Sequence, residues 1–257
     1  MANSLTFNGY DLSDYGLYVN RSNKAILPSK KSSSIDIPYR HGVISPASVY
    51  SARTLSFDCI IRATSHTQAK SYINSIAGIL NETEDCTIVD QGTDTTKFFN
   101  GRLSNSFDVS ETGPSVFKTQ LNFICSDPFA YSTSSTTVNH NITSTDTTKS
   151  FSVLGDTKTY ATITLTADAT ITNNISISNT DNDNEIIICG QDLVSDDILI
   201  FYCDPDDYRI TFNGNITVAS QSGYFPTLAG GDTNYIRYRN FSGSSSILYT
   251  ARFLTNL

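Results

Sequence analysis

Between Thr54 and Arg62 the side chains alternate without a break. Leu55, Phe57, Cys59 and Ile61 fall on one side of the chain, and Thr54, Ser56, Asp58 and Arg62 on the other. A period of two marks a half-buried β-strand, because successive Cβ atoms of an extended backbone point to opposite faces. The pattern returns at Phe117, Leu121, Phe123 and Cys125, set against Lys118, Gln120 and Asn122. In the second half Ile163 and Leu165 alternate with threonines, Ile175 and Ile177 with serines, and Tyr208, Ile210 and Phe212 with Arg209 and Thr211. Asn213-Gly214 then turns the last of these runs into Ile216 to Val218 as a hairpin. Further strands are expected beside the Asn8-Gly9 turn and at 31–40, 86–90, 97–109, 115–125, 186–189, 198–202, 234–240 and 246–254. Composition points the same way. The 257 residues include 34 Ser and 32 Thr, about a quarter of the chain. With Ile, Val, Tyr and Phe they suit pleated, half-buried surfaces.

One segment departs from this period. Ala69, Tyr72, Ile73, Ile76 and Leu80 share one face at helical spacing, Ser65 and Gln68 form a capping box, and Asn81 offers a left-handed stop. This predicts an amphipathic helix over 66–80, laid on a sheet. Tyr39 to Arg53 has no clear period and contains Gly42 and Pro46, which predicts an extended loop or hairpin. The Ser/Thr-rich run 132–150 predicts a linker or an outer edge strand, with a domain boundary near 130. Residues 1–130 thus form one domain and 131–257 a second. The second, all short strands and Asp/Asn/Gly turns, reads as a β-sandwich or jelly roll.

Charge narrows the functions. Residues 1–128 carry 11 Lys/Arg and 12 Asp/Glu; residues 129–257 carry 6 and 13. The first half is therefore near neutral and the second strongly acidic. Without a basic block, neither a phosphate backbone nor an anionic membrane finds a partner. The N-terminus lacks a secretory pattern, and no stretch approaches the roughly 20 apolar residues of a membrane span. Five cysteines with no CxxC pairing read as reduced thiols, Cys59 and Cys125 on inward faces as neutral core residues. His41, His66 and His140 are too scattered for zinc. No catalytic motif and no cofactor fingerprint is present.

The acidic clusters at 181–185, at Asp192 with Asp196-Asp197, and at 204–207 are the best remaining chemical candidates, for calcium or for a glycosidase carboxylate pair. Asp and Asn in turns between strands explain them more simply. Tyr224 and Phe225, in a turn-like Ser-Gly-Tyr-Phe-Pro stretch, are the candidate aromatic pair for saccharide.

The order of motifs says more than any one of them. LTFNGYDLSDYGLYV, YRHGVISPASVYSARTLSFDCII, a helix ending in AGIL, GRLSNSFDV and FKTQLNFICSDPFAYS follow one another through the first half. LGDTKTYATITLTADATITN, GQDLVSDDILIFY, YRITFNGN and FPTLAGGDTNYIRYRN follow in the second. Over nearly its whole length the chain resembles the distal tail protein (Dit) family of siphophages. The resemblance implies a mainly β protein: an N-terminal β-sandwich with one α-helix and an extended hairpin, and a C-terminal galectin-like jelly-roll sandwich. It further implies a non-enzymatic virion component at the tail tip, assembled in the bacterial cytoplasm. Such proteins close into a hexameric ring between the tail tube protein and the tip or baseplate proteins, leaving a passage for DNA. On that reading Tyr39, Arg40, His41, Tyr50 and Arg53 are the expected subunit contacts, since Tyr and Arg are enriched at interface hot spots. Two other classes compete: a saccharide-binding adhesion module using the C-terminal domain, and a polysaccharide-cleaving enzyme using paired Asp.

Overall fold

The computed structural model describes residues 3–254 except 33, 37, 40, 45–47, 93, 182–185 and 217–219. The chain divides into two units, Met1–Thr133 with Leu254–Leu257, and Ser134–Phe253.

The first unit contains strands β1 (Leu5–Phe7), β2 (Tyr10–Asp11), β3 (Leu17–Lys24), β4 (Lys30–Lys31), β5 (Ile35–Asp36), β6 (Val43–Ile44), β7 (Val49–Tyr50) and β8 (Arg53–Arg62). Helix α1 (His66–Leu80) follows, then β9 (Cys86–Asp90), β10 (Lys97–Leu103), β11 (Val109–Gly113), β12 (Val116–Cys125) and the start of β13 (Ala130–Ile142). The alternation read at 54–62 and 117–125 is realised directly. β8 and β12 pair antiparallel without a slip, setting Leu55 opposite Phe123, Phe57 opposite Leu121 and Ile61 opposite Phe117. These side chains are buried, with Phe123 against both Phe7 and Phe57 at ring distances of 5.4 and 6.0 Å. A one-residue slip would turn this whole row toward water.

The layers join at their margins. β3 pairs with β8, β8 with β12, β12 with β10, β10 with β9 and β9 with β1. A bridge between Asn3 and Val19 returns the circuit to β3. The run expected as one strand over 97–109 is broken after Leu103. There the Asn105 side chain takes the place of a neighbouring strand, accepting from Asn122 N and donating to Gln120 O. β11 resumes beside the other half of β12.

Helix α1 has the expected bounds. The Ser65 hydroxyl accepts from Gln68 N at 3.2 Å, and Gln68 Oε1 accepts from Thr64 N at 2.8 Å. Ala69, Ile76 and Leu80 are buried, and Tyr72 meets Tyr15 edge-on at 6.5 Å. The expected left-handed stop is not present: Asn81 sits at φ −80°, ψ 54°. A left-handed residue does end the 3-10 turn Leu12–Tyr15 before β3: Gly16, at φ +69°, whose carbonyl accepts from Arg62 N. A Cβ there would lie 2.2 Å from the Arg62 carbonyl oxygen, so only glycine fits.

The stretch from Tyr39 to Tyr50 is the returning arm of a hairpin whose outgoing arm begins at Lys30, and Arg53 already belongs to β8. β4 pairs with β7 (Lys30 opposite Tyr50) and β5 with β6 (Ile35 opposite Ile44).

The second unit contains the rest of β13, then β14 (Asp146–Ser152), β15 (Ala161–Ala167), β16 (Ile175–Asn179), β17 (Ile186–Cys189), β18 (Ile198–Tyr202), β19 (Arg209–Phe212), β20 (Asn215–Ile216), β21 (Gln221–Gly223), β22 (Thr233–Arg239) and β23 (Gly243–Phe253). They form two antiparallel sheets, ordered β14-β22-β16-β17-β21 and β13-β23-β15-β18-β19-β20. Ile163, Leu165, Ile177, Leu199, Phe201, Tyr238, Phe241 and Ile247 fill the core. The Ser/Thr-rich run becomes most of β13 and the edge strand β14. Asn213 and Gly214, at φ +48° and +83°, make the two-residue turn between β19 and β20; Val218 lies outside the described residues.

Asn179 and Asn234 form a polar pair inside this unit. Asn234, fully buried, accepts from Ala229 N and from Asn179 Nδ2, and donates to Ala229 O. Asn179 also donates to Thr227 O at 2.8 Å. The two amides hold the 227–232 loop from below. Asn234→Ala would leave buried backbone groups without partners. It should cost roughly 3 kcal/mol, read as a lower urea midpoint with unchanged far-ultraviolet dichroism.

Candidate assembly surface

An isolated two-stranded ribbon is marginal in water, since each strand has one neighbour and no layer behind it. Among the described residues, β4 pairs with β7 alone and β5 with β6 alone. Ile35 and Val49 are exposed along this hairpin, and Ile26 and Leu27 at its base. Tyr39 is 109% exposed and takes φ +65°, a region that bulky residues rarely adopt. His41 is exposed beside it; Arg40 lies outside the described residues. Tyr50 anchors the other end, with its ring 5.9 Å from Phe129 edge-on and the Lys30 ammonium 5.5 Å above it. Four of the five expected contact residues can therefore be placed, and three lie on the hairpin.

Arg53 is the exception and a correction. It occupies the core face of β8 and is 2% exposed. Its Nη2 donates to Leu254 O at 2.6 Å, and its guanidinium lies 5.1 Å from the Phe99 ring centre. The alternation that made Leu55 a core residue also makes Arg53 one. It fastens the returning end of the chain within the first unit and presents no surface to a neighbour.

Two further features surround the hairpin's parent unit. β11 has β12 as its one strand partner among the described residues, and its residues Val109 to Thr112 are exposed. The outer face of β3 and β8 is hollowed. A trough of about 770 Å³ lies beside the start of α1, walled by Tyr18, Asn20, Ile60, Arg62, Gln68 and Tyr72. A second of about 530 Å³ adjoins it, sharing Asn20 and Ile60 and reaching Asp58, Asp108 and Lys118. Asn20 is the extra residue of a β-bulge, where the pairing of β3 with β8 shifts between Val19 and Arg21.

The titratable groups are arranged for structure. Burial pushes the Cys59 and Cys125 thiols up to about 12, which leaves them neutral and unreactive. His66 faces Glu111 at 3.7 Å, while His140 lies against Tyr238 in the other unit. Asp204 accepts from Asp206 N and Asp197 from Val194 N, as turn residues do. Hydrogen bonds from Asn213 and Val194 hold the Asp197 carboxyl below its usual range. Of the 181–185 cluster only Asp181 is among the described residues. No group of three metal-ligating side chains occurs among the described residues.

The expected aromatic pair in the second unit is divided differently. Phe225 stacks on Tyr208 at 4.9 Å and 12°, leaning on the core, while Tyr224 is 71% exposed. The partner ring, Tyr208, lies 17 positions from Phe225 in sequence and carried no local signal.

Residues 10–125 match the family model of the phage tail protein RIFT-related domain. No curated protein sequence matches. Among solved structures, the SPP1 Dit (gp 19.1) protein superposes with a TM-score of 0.80 at 18% identity, covering 98% of this chain and 100% of that one. It is described as a paradigm of the hub adsorption apparatus in phages that infect Gram-positive bacteria. The phage P2 baseplate in its activated conformation with Ca matches at TM-score 0.44 and 9% identity, over 97% of this chain and 98% of that one. The expected mainly β architecture with one helix and an extended hairpin is thus found, in the fold of the SPP1 protein.

Two predictions follow from these side chains. Arg53→Ala removes a buried guanidinium from a backbone carbonyl and an aromatic ring. It should cost roughly 3 kcal/mol of stability by chemical denaturation, about the cost of a large core truncation. His140 is held below the ordinary histidine pKa by burial, with Lys149 adding to the effect. The neutral ring therefore belongs to the folded state, and its contribution is present above about pH 6.5 and lost as pH falls. Melting between pH 7 and 5 should fall more steeply in the native chain than in His140→Gln.

Proposed function

We propose that this chain, in which residues 10–125 form a phage tail protein RIFT-related domain and whose backbone follows that of the SPP1 Dit protein, is a distal tail protein. Its role is structural. Six copies form a ring in which the first units join side to side and the galectin-like second units project. The ring connects the tail tube protein to the tip or baseplate proteins and leaves a channel for DNA. It resides in the virion at the tail tip after assembly in the bacterial cytoplasm.

The observation that carries this reading is the unlayered hairpin on a tail-family domain. Its exposed Ile35, Tyr39 and Val49 have no cover within the protomer, and a partner that covers them removes apolar surface from water. The near-neutral charge of the first half allows like copies to approach. A ring uses two different surfaces of each copy, and closure leaves neither open. Strand edges such as β11 are then covered as well.

A second reading, host-saccharide binding by the second unit, has one observation in its favour. The Tyr208–Phe225 stack and the exposed Tyr224 are the kind of rings that sugars pack against. Binding of host wall polysaccharide that Tyr224→Ala removes would support it; absence of binding by the native chain would dismiss it.

The ring reading predicts the effect of trimming the hairpin. Replacing residues 31–49 by a short Gly-Ser turn should leave the two units folded by circular dichroism. Sedimentation should then give a particle near the protomer mass of 28.1 kDa, where the native chain gives a multiple of it. A trimmed chain that still sediments as the native assembly contradicts the role of the hairpin.

A further inference from the structure

We infer that the side chains of Lys24 and Asp90 condense into an intramolecular isopeptide bond, a covalent tie between β3 and β9 within the first unit.

The two residues stand on strands that do not pair with each other. β3 lies beside β8, and β9 lies between β1 and β10. Their side chains nevertheless meet: Lys24 Nζ is 2.7 Å from Asp90 Oδ2, and the two side chains are 9% and 8% exposed. Leu55, Phe57, Ile88 and Phe99 wall the site, with the Phe57 ring centre 6.0 Å from Nζ. The cavity among them has about 10 Å³, room for at most one water molecule. Gly92 N donates to Asp90 Oδ1 at 3.0 Å. That N–H polarises the carboxyl and is already in place for the oxygen that becomes negative when Cγ is attacked. Asp94 and Lys97, 3.2 Å apart, border the same cavity, so its four charged groups balance.

These are the parts that an amide condensation needs. An amine is held against a carboxyl carbon, a donor faces the developing oxyanion, and apolar walls exclude bulk water. Two ions removed from water also gain by becoming neutral groups. A proton passes from the Lys24 ammonium to Asp90 Oδ2, leaving an amine and a carboxylic acid. The Nζ lone pair then forms a bond to Cγ, and the Cγ–Oδ2 bond breaks. Oδ2 takes a second proton from Nζ and departs as water. A secondary amide remains, with Oδ1 as its carbonyl oxygen. The balance needs no oxidant and no cofactor. The product fixes two layers of the first unit to each other by a bond that unfolding does not break.

Intact-mass measurement on the purified full chain, with tryptic mapping, separates this bond from a permanent ion pair. After allowance for removal of Met1, the native chain should be lighter than its sequence mass by one water. Digestion should yield a branched peptide joining residues 22–30 to residues 71–97 through Lys24 and Asp90. Lys24→Arg keeps the positive charge but offers no primary amine, and should show its full sequence mass. Asp90→Asn should converge on the mass of the native chain, because ammonia leaves in place of water and the amide formed is the same. A native chain at full sequence mass that releases 22–24, 25–30 and 71–97 as separate peptides overturns the proposal. A loss of water that persists in Lys24→Arg, or a branch that joins other residues, overturns it equally.

Discussion

A two-stranded ribbon cannot hold apolar side chains in water unaided. The principal strands of both units have paired neighbours and buried faces. β8 and β12 bury Leu55, Phe57, Leu121 and Phe123 inside a circuit that closes through Asn3 and Val19. The second unit buries Ile163, Leu199, Phe201 and Tyr238 between two sheets. Against that background the hairpin from Lys30 to Tyr50 leaves Ile35, Tyr39 and Val49 exposed. The proposed function rests on that exposure together with the match of residues 10–125 to the phage tail protein RIFT-related domain.

Cys59 and Cys125 are neutralised by burial, and Asp197 and Asp204 of the second unit accept from backbone N–H groups in turns. What the fold does supply is rigidity around open surfaces. Gly16 locks the start of β3 against Arg62, Arg53 fastens the returning end at Leu254, and Asn179 with Asn234 braces the 227–232 loop.

Much of this was legible in the sequence because periodicity is a local property. Leu55 to Ile61 and Phe117 to Cys125 declare their inner face without any tertiary information, and Ser65 with Gln68 marks the start of α1. What escaped depended on distant partners. Arg53 obeys the period of two and still reads as a surface residue, because its charge hides that a carbonyl 201 positions away accepts from it. Asn105 breaks an apparent strand by pairing with β12 through its side chain, which composition cannot foretell. The partner of Phe225 is Tyr208, across a turn and a hairpin. The trough exists only once β3, β8 and α1 are folded together, and its one local trace is the bulge at Asn20.

Electron micrographs of the purified full-length chain test the central claim most directly. Class averages should show closed rings of six-fold symmetry, with a central opening lined by the first units and the second units at the rim. Particles that remain single protomers at every concentration, or that pair two-fold through identical patches, would contradict it.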